Sequence, residues 1–172
     1  MLLHKTIVDS MSLRNNTFAN DDELISVSAT DYRQADFPFT NWSPHMVHIW
    51  GLDFPTAEHA YQYKKHADRN PELAEQIRRA TNPKEAKTLA WSFPIDNQAW
   101  DKQRQSVMLE ILTAKYAQHE TIRTALSQTG DRAIVQEHDG EDTFWGIGKN
   151  GNGRNTMGKL WMMVRERYGY SR

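Results

Sequence analysis

One short stretch of the sequence carries a carboxylate, an amide and an amine at a spacing that suits catalysis. Glu58, Gln62 and Lys65 follow one another at positions i, i+4 and i+7, which share one side of an α-helix, with Tyr61 beside them. Thr56 can cap such a helix, and the helix dipole then favours an ionised carboxylate in the first turn. That carboxylate would suit a general base or a stabiliser of a cationic transition state. The alternative is that Glu58 is only a favourable helix-end charge and Lys65 a solvated one.

Four of the seven histidines lie near this stretch, so a metal site must be weighed. They are His45, His48, His59 and His66. No recognised zinc spacing such as H-E-x-x-H joins them, and scattered histidines are ordinarily surface or core residues. The sequence therefore predicts neither a metal nor a cofactor.

A glycine-rich loop near the C-terminus matches two nucleotide-binding patterns but fits neither. The run 146–151 reads G-x-G-x-x-G without the buried strand before it and the helix directly after it that a dinucleotide site needs. The run 153–159 reads G-x-x-x-x-G-K, but Leu160 replaces the Ser or Thr that would hold magnesium. Its Gly158-Lys159 pair also falls inside a predicted helix.

The same loop ends on a helix N-terminus and carries Lys149, Arg154 and Asn155. Exposed amides and the positive helix end would make an anion seat, suited to a phosphate or a pyrophosphate. The alternative, which the sequence leaves equally open, is a flexible surface loop.

Composition limits the class of protein. The 172 residues suffice for one domain with a single core, and a net charge of −1 gives no bulk basic field for nonspecific nucleic-acid binding. The absence of cysteine excludes thiolate catalysis and cysteine-based metal sites, and it fits a reducing compartment. No run reaches membrane-spanning length, so we expect a soluble, cytoplasmic protein with no membrane partner. The sequence does not indicate an oligomeric state.

Helix and strand signals place these residues on a mainly helical scaffold. An irregular N-terminal extension, residues 1–24, precedes a short strand over 24–28, and a hairpin over 46–54 turns at Gly51. Helices are predicted to begin at Thr56, Asn70 and Asn82 and then over 97–118, 121–129 and 155–168, with a short strand at 133–135. The long helix should turn one apolar face inward, made of Trp100, Val107, Met108, Ile111, Leu112 and Tyr116. The segment 36–44 reads as a loop whose aromatic residues form either a pocket wall or a hydrophobic plug.

Three stretches together resemble one family. Residues 39–44 (FTNWSP) are similar to F-S-N-F-S-P, and 54–62 (FPTAEHAYQ) with Lys65 to W/Y-P-T-x-E-H-x-x-Q-x-x-K. Residues 142–146 (DTFWG) and 153–165 resemble D-x-x-W-G followed by G-x-N-x-L-G-x-x-L-M-x-x-R. This ordered set is that of the NADAR superfamily of YbiA-type N-glycosidases, and it covers about residues 25–168.

The resemblance implies an α+β fold: one predominantly α-helical catalytic domain over residues 25–172, with a small antiparallel β element. It implies hydrolysis of the bond between a ribose and a base or amine. Members act on phosphorylated ribosylamino-pyrimidines of early riboflavin synthesis, and others remove ADP-ribose from guanine in nucleic acid. By motif position, the catalytic residues are Glu58, Lys65, Asp142 and Trp145. The substrate-binding residues are Phe39, Asn41, Trp42, Gln62, Gly146, Arg154 and Asn155.

The residues themselves suit this chemistry. Cleaving an N-glycoside builds oxocarbenium character on the ribose, and two carboxylates on separate elements, Glu58 and Asp142, can divide its stabilisation and the activation of water. Lys65 can instead attack the anomeric carbon or form a Schiff base on the opened sugar. Trp145, Trp42 or Phe39 can stack on the base. The sequence leaves these routes open.

Two departures from the family pattern affect the substrate. Ile147 stands where many relatives have an acid, and Ala90-Trp91 stands where YbiA-type members have Gly-Arg, which removes a candidate phosphate-binding arginine. A phosphorylated ribosylamino-pyrimidine is the predicted substrate. The alternatives are an ADP-ribosyl hydrolase acting on modified guanine, in nucleotide or nucleic acid, and a module that binds NAD or ADP-ribose without turnover.

Overall fold

The computed structural model describes residues 24–28, 38–137 and 142–169. The predicted N-terminal extension lies outside the described residues except for its last residue, Leu24. The elements in chain order are β1 (Leu24–Ser28), β2 (Val47–Ile49), β3 (Leu52–Phe54), α1 (Ala57–His66), α2 (Pro71–Arg78), α3 (Pro83–Trp91), α4 (Asn97–Gln118), α5 (Glu120–Gln128), β4 (Ala133–Glu137) and α6 (Thr156–Tyr168). The predicted fold class, mainly helical with a small antiparallel sheet, is confirmed.

Contacts within the chain divide it into two compact units. The central unit is residues 41–123, and the terminal unit consists of the described residues of 1–40 and 124–172. The single catalytic domain over residues 25–172 stays a prediction.

The central unit begins with the predicted hairpin. Strands β2 and β3 pair antiparallel, from Val47 opposite Phe54 to Ile49 opposite Leu52. The turn between them uses Trp50 as well as the predicted Gly51, with φ of 54° and 75°. The hairpin leads directly into α1.

The three short helices of the central unit begin at the predicted caps. Thr56 accepts a hydrogen bond from the His59 amide, and Asn70 and Asn82 cap α2 and α3, each followed by a proline at the first helical position. Helix α1 packs against α2, α3 and α4. An apolar cluster between the short helices consists of Leu73, Ile77, Ala80, Ala86 and Ala90.

Two buried histidines of α1 lock this arrangement. His59 Nε2 donates to the Ala80 carbonyl at 3.2 Å and His66 Nε2 to the Ala90 carbonyl at 3.0 Å, because a carbonyl oxygen can only accept. Burial lowers the pKa of both imidazoles, so both are neutral at physiological pH. Each therefore holds α1 to a neighbouring segment without a buried charge.

Helix α4 has the predicted bounds, but one residue of its inward face differs. Lys115 is fully buried, whereas Tyr116, which the apolar period placed inward, is only partly buried. Position 115 lies four residues after Ile111 and three after Leu112, so it falls on the same stripe as they do. Lys115 is therefore in the core because of its position on the apolar side of α4.

The terminal unit is built on a parallel strand pair that the sequence did not predict. Strand β1 pairs with β4 in register from Leu24–Ala133 to Ser28–Glu137, and α6 packs on β4. Asn155, the N-cap of α6, adopts a left-handed conformation with a φ of 50°. Its side chain donates to the Ile134 carbonyl and accepts from the Gln136 amide, both at 2.9 Å. The asparagine thus joins the start of α6 to the edge of β4.

Gly158 lets helix α6 approach β4 closely. A Cβ atom added there would lie 2.0 Å from the Ile134 carbonyl oxygen and 2.7 Å from the Asn155 side chain. Neither neighbour is the end of a long flexible side chain that could turn away. The close approach therefore requires glycine.

We expect Gly158→Ala to lower the free energy of unfolding by about 3 kcal/mol, since the methyl group must push the helix off the strand. Gly130→Ala is the matched control: a Cβ there meets nothing within 4 Å, so only its φ of +54° is unfavourable, at a cost of about 1 kcal/mol. Urea denaturation followed by circular dichroism measures both. Equal losses for the two variants would contradict the close packing of α6 on β4.

Candidate functional site

The Glu58 side chain is buried in the first turn of α1, with only 6% of its surface exposed. Its backbone amide donates to the Asn41 carbonyl at 3.0 Å, and its Oε1 accepts a hydrogen bond from Gln62 Nε2 at 2.7 Å. A simple helix-end charge would remain in water, because burying a carboxylate is costly. The burial of Glu58 therefore disfavours its interpretation as only a favourable helix-end charge, and its catalytic role stays a prediction.

The loop that contains Asn41 is fixed on α4 by the buried Lys115. The Lys115 amine donates to Ser43 Oγ at 2.6 Å, and Ser43 is itself fully buried and 3.0 Å from His45 Nδ1. Burial lowers the pKa of Lys115 to about 7. Sequence reasoning missed this positioning residue, although its place on the apolar stripe of α4 was a readable signal.

Lys65 is partly buried, and its amine lies near two aromatic rings. Its Nζ lies 4.9 Å from the ring centroid of Tyr61 and 5.8 Å from that of Trp100, and Trp100 Nε1 donates to the Tyr61 hydroxyl at 3.2 Å. Burial lowers the pKa of Lys65 to about 8, against the opposing effect of Glu58. The Lys65 amine is therefore partly neutral near physiological pH, which the interpretation of a solvated lysine does not allow.

Two further cations act on Lys65. Lys87 of α3 and Arg104 of α4 both lower the pKa of Lys65 by charge repulsion. The Lys87 Nζ lies 4.6 Å over the ring of Trp91, which is 69% exposed. Positive groups of α1, α3 and α4 are thus close enough to interact at Lys65, and Arg104 Nη1 also pairs with Asp101 Oδ1 at 3.1 Å.

In the terminal unit, Asp142 shapes the loop that carries Trp145. Its Oδ1 accepts from the backbone amides of Phe144 at 3.0 Å and Trp145 at 2.9 Å. The Trp145 ring is partly buried and stands edge-on to Phe144 with the ring centroids 4.9 Å apart. The exposed Arg154 places its guanidinium 5.5 Å over the Phe144 ring. Asp142 therefore has a structural task in addition to the predicted catalytic one.

The predicted anion-binding site at the start of α6 required exposed backbone amides, and residues 154–157 do not provide them. The amides expected to be exposed donate instead to carbonyls of the Asp142–Gly146 segment, so they are not available to an anion. The bonds run from Arg154 to Thr143 at 2.7 Å, Asn155 to Gly146 at 3.1 Å, Thr156 to Phe144 at 3.2 Å and Met157 to Trp145 at 3.0 Å. These bonds also tie the end of the loop down, so the alternative of a flexible loop does not describe it either.

The other predicted binding residues have different environments. Phe39 is 2% exposed and packs on Trp161, whose Nε1 donates to the Phe39 carbonyl at 2.9 Å, so it is the hydrophobic plug of the alternative interpretation. Its assignment as a binding residue stays a prediction. Asn155 uses both side-chain polar atoms on β4, and Gly146 is buried. Trp42 is partly buried and stays a predicted stacking residue.

The histidines near α1 serve as structural partners. His48 lies 2.7 Å from Asp53 across the hairpin, while His45, His59 and His66 have the partners given above. Within the described ranges, no three histidine, cysteine, aspartate or glutamate residues form a group that could hold a metal ion. None of the helices in those ranges combines the length and apolar character needed to cross a bilayer.

Comparison with known proteins places the chain in a family. The model of the NADAR domain matches residues 20–168, so the chain belongs to the NADAR domain family. N-glycosidase Npun_R5314 of Nostoc punctiforme is 37% identical over 130 residues, which are 74% of this chain and 83% of that protein. N-glycosidase YbiA of Escherichia coli is 33% identical over 147 residues, 84% of this chain and 88% of that protein.

The solved structure of E. coli YbiA, determined by NMR, supports the same assignment. It matches 93% of this chain and 92% of its own length with a TM-score of 0.71 and 29% identity. A third relative, riboflavin biosynthesis protein VVA0006 of Vibrio vulnificus, is 34% identical over 131 residues. Those residues are 73% of this chain but only 34% of that longer protein.

We expect Asp142→Asn to separate the two tasks of Asp142. The amide oxygen can still accept from Phe144 and Trp145, so unfolding measured in urea should stay within about 1 kcal/mol of wild type. Loss of the charge should lower kcat by about a hundredfold or more if the predicted catalytic role is right. Asp142→Ala, the comparison variant, should lose stability as well. Full activity in a stably folded Asp142→Asn protein would leave Asp142 with its structural task alone.

Proposed function

We propose that this chain hydrolyses the C–N bond between ribose and the base or amine of a phosphorylated ribosylamino-pyrimidine, an intermediate of riboflavin synthesis. As a member of the NADAR domain family whose relatives are named N-glycosidases, it is a hydrolase acting on N-glycosyl bonds. The observation that carries the proposal is the buried Glu58 carboxylate on the same helix as the desolvated Lys65. The name of the Vibrio vulnificus relative supports the riboflavin substrate.

Glu58 supplies negative charge where the reaction develops positive charge. As the C–N bond breaks, the ribose ring gains oxocarbenium character, and a buried carboxylate stabilises it more strongly than a solvated one. The hydrogen bond from Gln62 fixes one carboxylate oxygen and leaves the second to face the reaction. The same carboxylate then takes a proton from water in the hydrolytic step.

Lys65 acts as the nucleophile in this proposal. A lysine with a pKa near 8 has a useful neutral fraction, and the neutral amine carries the lone pair that attacks carbon. A bond forms between Lys65 Nζ and C1′, the C1′–N bond to the base breaks, and the proton that Nζ loses is taken up by the departing nitrogen. The adduct opens to a Schiff base, and water hydrolyses it to the free sugar and the lysine amine.

The phosphate of the substrate is held by cations of the central unit. Lys87 and Arg104 approach the side of α1 that carries Lys65, whereas the loop before α6 uses its amides internally. A phosphorylated ribose therefore finds its opposite charge around α1. Asp142, Trp145 and Arg154 are assigned to the same reaction by their motif positions, and the cytoplasmic location stays a prediction.

We expect Glu58→Gln to abolish release of ribose while leaving substrate affinity within about tenfold, or roughly 1.4 kcal/mol. The variant should fold, because a glutamine oxygen can still accept from Gln62. Product release is followed by chromatography, and affinity by calorimetry. If wild type and variant both bind but release nothing from any ribosylated candidate, the chain is a binding module and not an enzyme.

The substrate is tested in the same assay by competition. The wild-type protein is offered the ribosylamino-pyrimidine phosphate and an ADP-ribosylated oligonucleotide in equal amounts. Preferential consumption of the pyrimidine supports the proposal, whereas preferential consumption of the oligonucleotide would make the chain an ADP-ribosyl hydrolase.

The pH dependence of the reaction tests the role of Lys65. As nucleophile, Lys65 must be neutral, so kcat/KM should rise with pH and level off above about 8. Borohydride added during turnover should trap a covalent adduct, which mass spectrometry locates on Lys65. Lys65→Arg keeps the positive charge but removes the nucleophile, so it should be inactive. Rates that fall above pH 8, together with an active arginine variant, would show that Lys65 serves only as a cation.

A further inference from the structure

Two buried side-chain oxygens in the described part of the chain accept no hydrogen bond, and both belong to residues that are hydrogen-bonded to Glu58. They are Asn41 Oδ1 and Gln62 Oε1. Gln62 is only 3% exposed, so bulk water does not readily satisfy its oxygen. Native proteins leave few buried polar atoms unpaired, and each one calls for an explanation.

The surrounding hydrogen bonds hold both residues against Glu58. The Gln62 amide nitrogen donates to Glu58 Oε1 at 2.7 Å, and because a carboxylate can only accept, the Gln62 oxygen must be turned away from it. The Asn41 carbonyl accepts from the Glu58 amide at 3.0 Å, which holds Asn41 against the first turn of α1. Each unpaired acceptor therefore belongs to a residue that is hydrogen-bonded directly to Glu58.

The chemistry of this group selects its ligand. Leaving a buried acceptor unpaired costs about 1–3 kcal/mol, which a ligand recovers by donating a hydrogen bond. Two amide oxygens and a carboxylate present acceptors on three neighbouring residues, a set that disfavours a phosphate and favours hydroxyl groups. A ribose carries two adjacent hydroxyls, on C2 and C3, and each can donate one hydrogen bond.

We propose that Asn41 Oδ1 and Gln62 Oε1 accept hydrogen bonds from the 2- and 3-hydroxyls of the sugar, which makes the site selective for ribose over 2-deoxyribose. This inference rests on the proposed function, because it assigns the sugar end of the same substrate. It gives the two residues a task separate from the phosphate contacts of Lys87 and Arg104. The removal of one sugar hydroxyl would leave one buried oxygen unpaired again.

Binding of two sugar phosphates tests the inference without turnover. The full chain is titrated by calorimetry with ribose 5-phosphate and with 2-deoxyribose 5-phosphate, which share the phosphate and differ in one hydroxyl. We expect the deoxy compound to bind at least about tenfold more weakly. Equal affinities would mean that water satisfies the two oxygens and would overturn the inference, and failure to bind ribose 5-phosphate would overturn it as well.

Variants assign the preference to the two oxygens. Gln62→Met and Asn41→Ala each remove one acceptor. In each variant the preference for ribose 5-phosphate over 2-deoxyribose 5-phosphate should fall to about threefold or less. Asn41→Asp keeps an oxygen at the same place and should keep a preference of tenfold or more. Gln76→Met, on an exposed position of α2, is the matched control and should behave as wild type.

The outcomes also separate this inference from the proposed function. Circular dichroism establishes that each variant is folded, and Asn41→Ala leaves the Glu58 side chain and its bond to Gln62 in place. If Gln62→Met and Asn41→Ala both fold and still prefer ribose 5-phosphate over 2-deoxyribose 5-phosphate as strongly as the wild type does, the role of the two oxygens is overturned. Cleavage of the ribosylated substrate by a wild-type protein that does not distinguish the two sugars would overturn the selectivity alone and leave the hydrolase standing.

Discussion

The hydrogen bond from the Glu58 amide to the Asn41 carbonyl is the constraint on which the central unit's chemistry depends. A helix leaves the amides of its first turn without partners, and here one of them binds the preceding motif loop. That bond brings Asn41 against the residue that carries the buried carboxylate. Lys115 holds the same loop through Ser43. The loop and the helix therefore position the reactive group together, and neither would do so alone.

The loop before α6 shows that a glycine-rich sequence does not by itself leave backbone amides free. A glycine-rich loop before a helix suggests free amides, but the amides from Arg154 to Met157 are consumed by the carbonyls that precede them along the chain. Each such bond makes the loop more rigid and makes it less able to accept a phosphate. The cations that we propose for the phosphate lie instead on long side chains of α3 and α4. Side chains of this length adapt to a ligand more easily than a fixed backbone does.

Local signals were sufficient for most of the fold. Asn-Pro pairs and the cap at Thr56 identified the helix starts because capping depends on the nearest few residues alone. The parallel pairing of β1 with β4 could not be found in this way, because it joins segments more than a hundred residues apart. The position of Lys115 was readable from the helical period, but the expectation that lysines remain in water outweighed it. The unpaired oxygens of Asn41 and Gln62 depend on three-dimensional neighbours, which no spacing reveals.

The buried Lys115 and the partly buried Lys65 show why a lowered pKa alone does not make a nucleophile. Both have a lowered pKa, but Lys115 is fully buried in the core and donates to Ser43, so its amine serves a neighbour that it holds in place. In the described structure Lys65 makes no hydrogen bond or ion pair and has aromatic faces beside it and the Glu58 charge nearby. An amine that is partly neutral, not hydrogen-bonded and close to a carboxylate can give its lone pair to carbon. To react, the Lys115 amine would have to break its hydrogen bond to Ser43, whereas the Lys65 amine has no such bond to break.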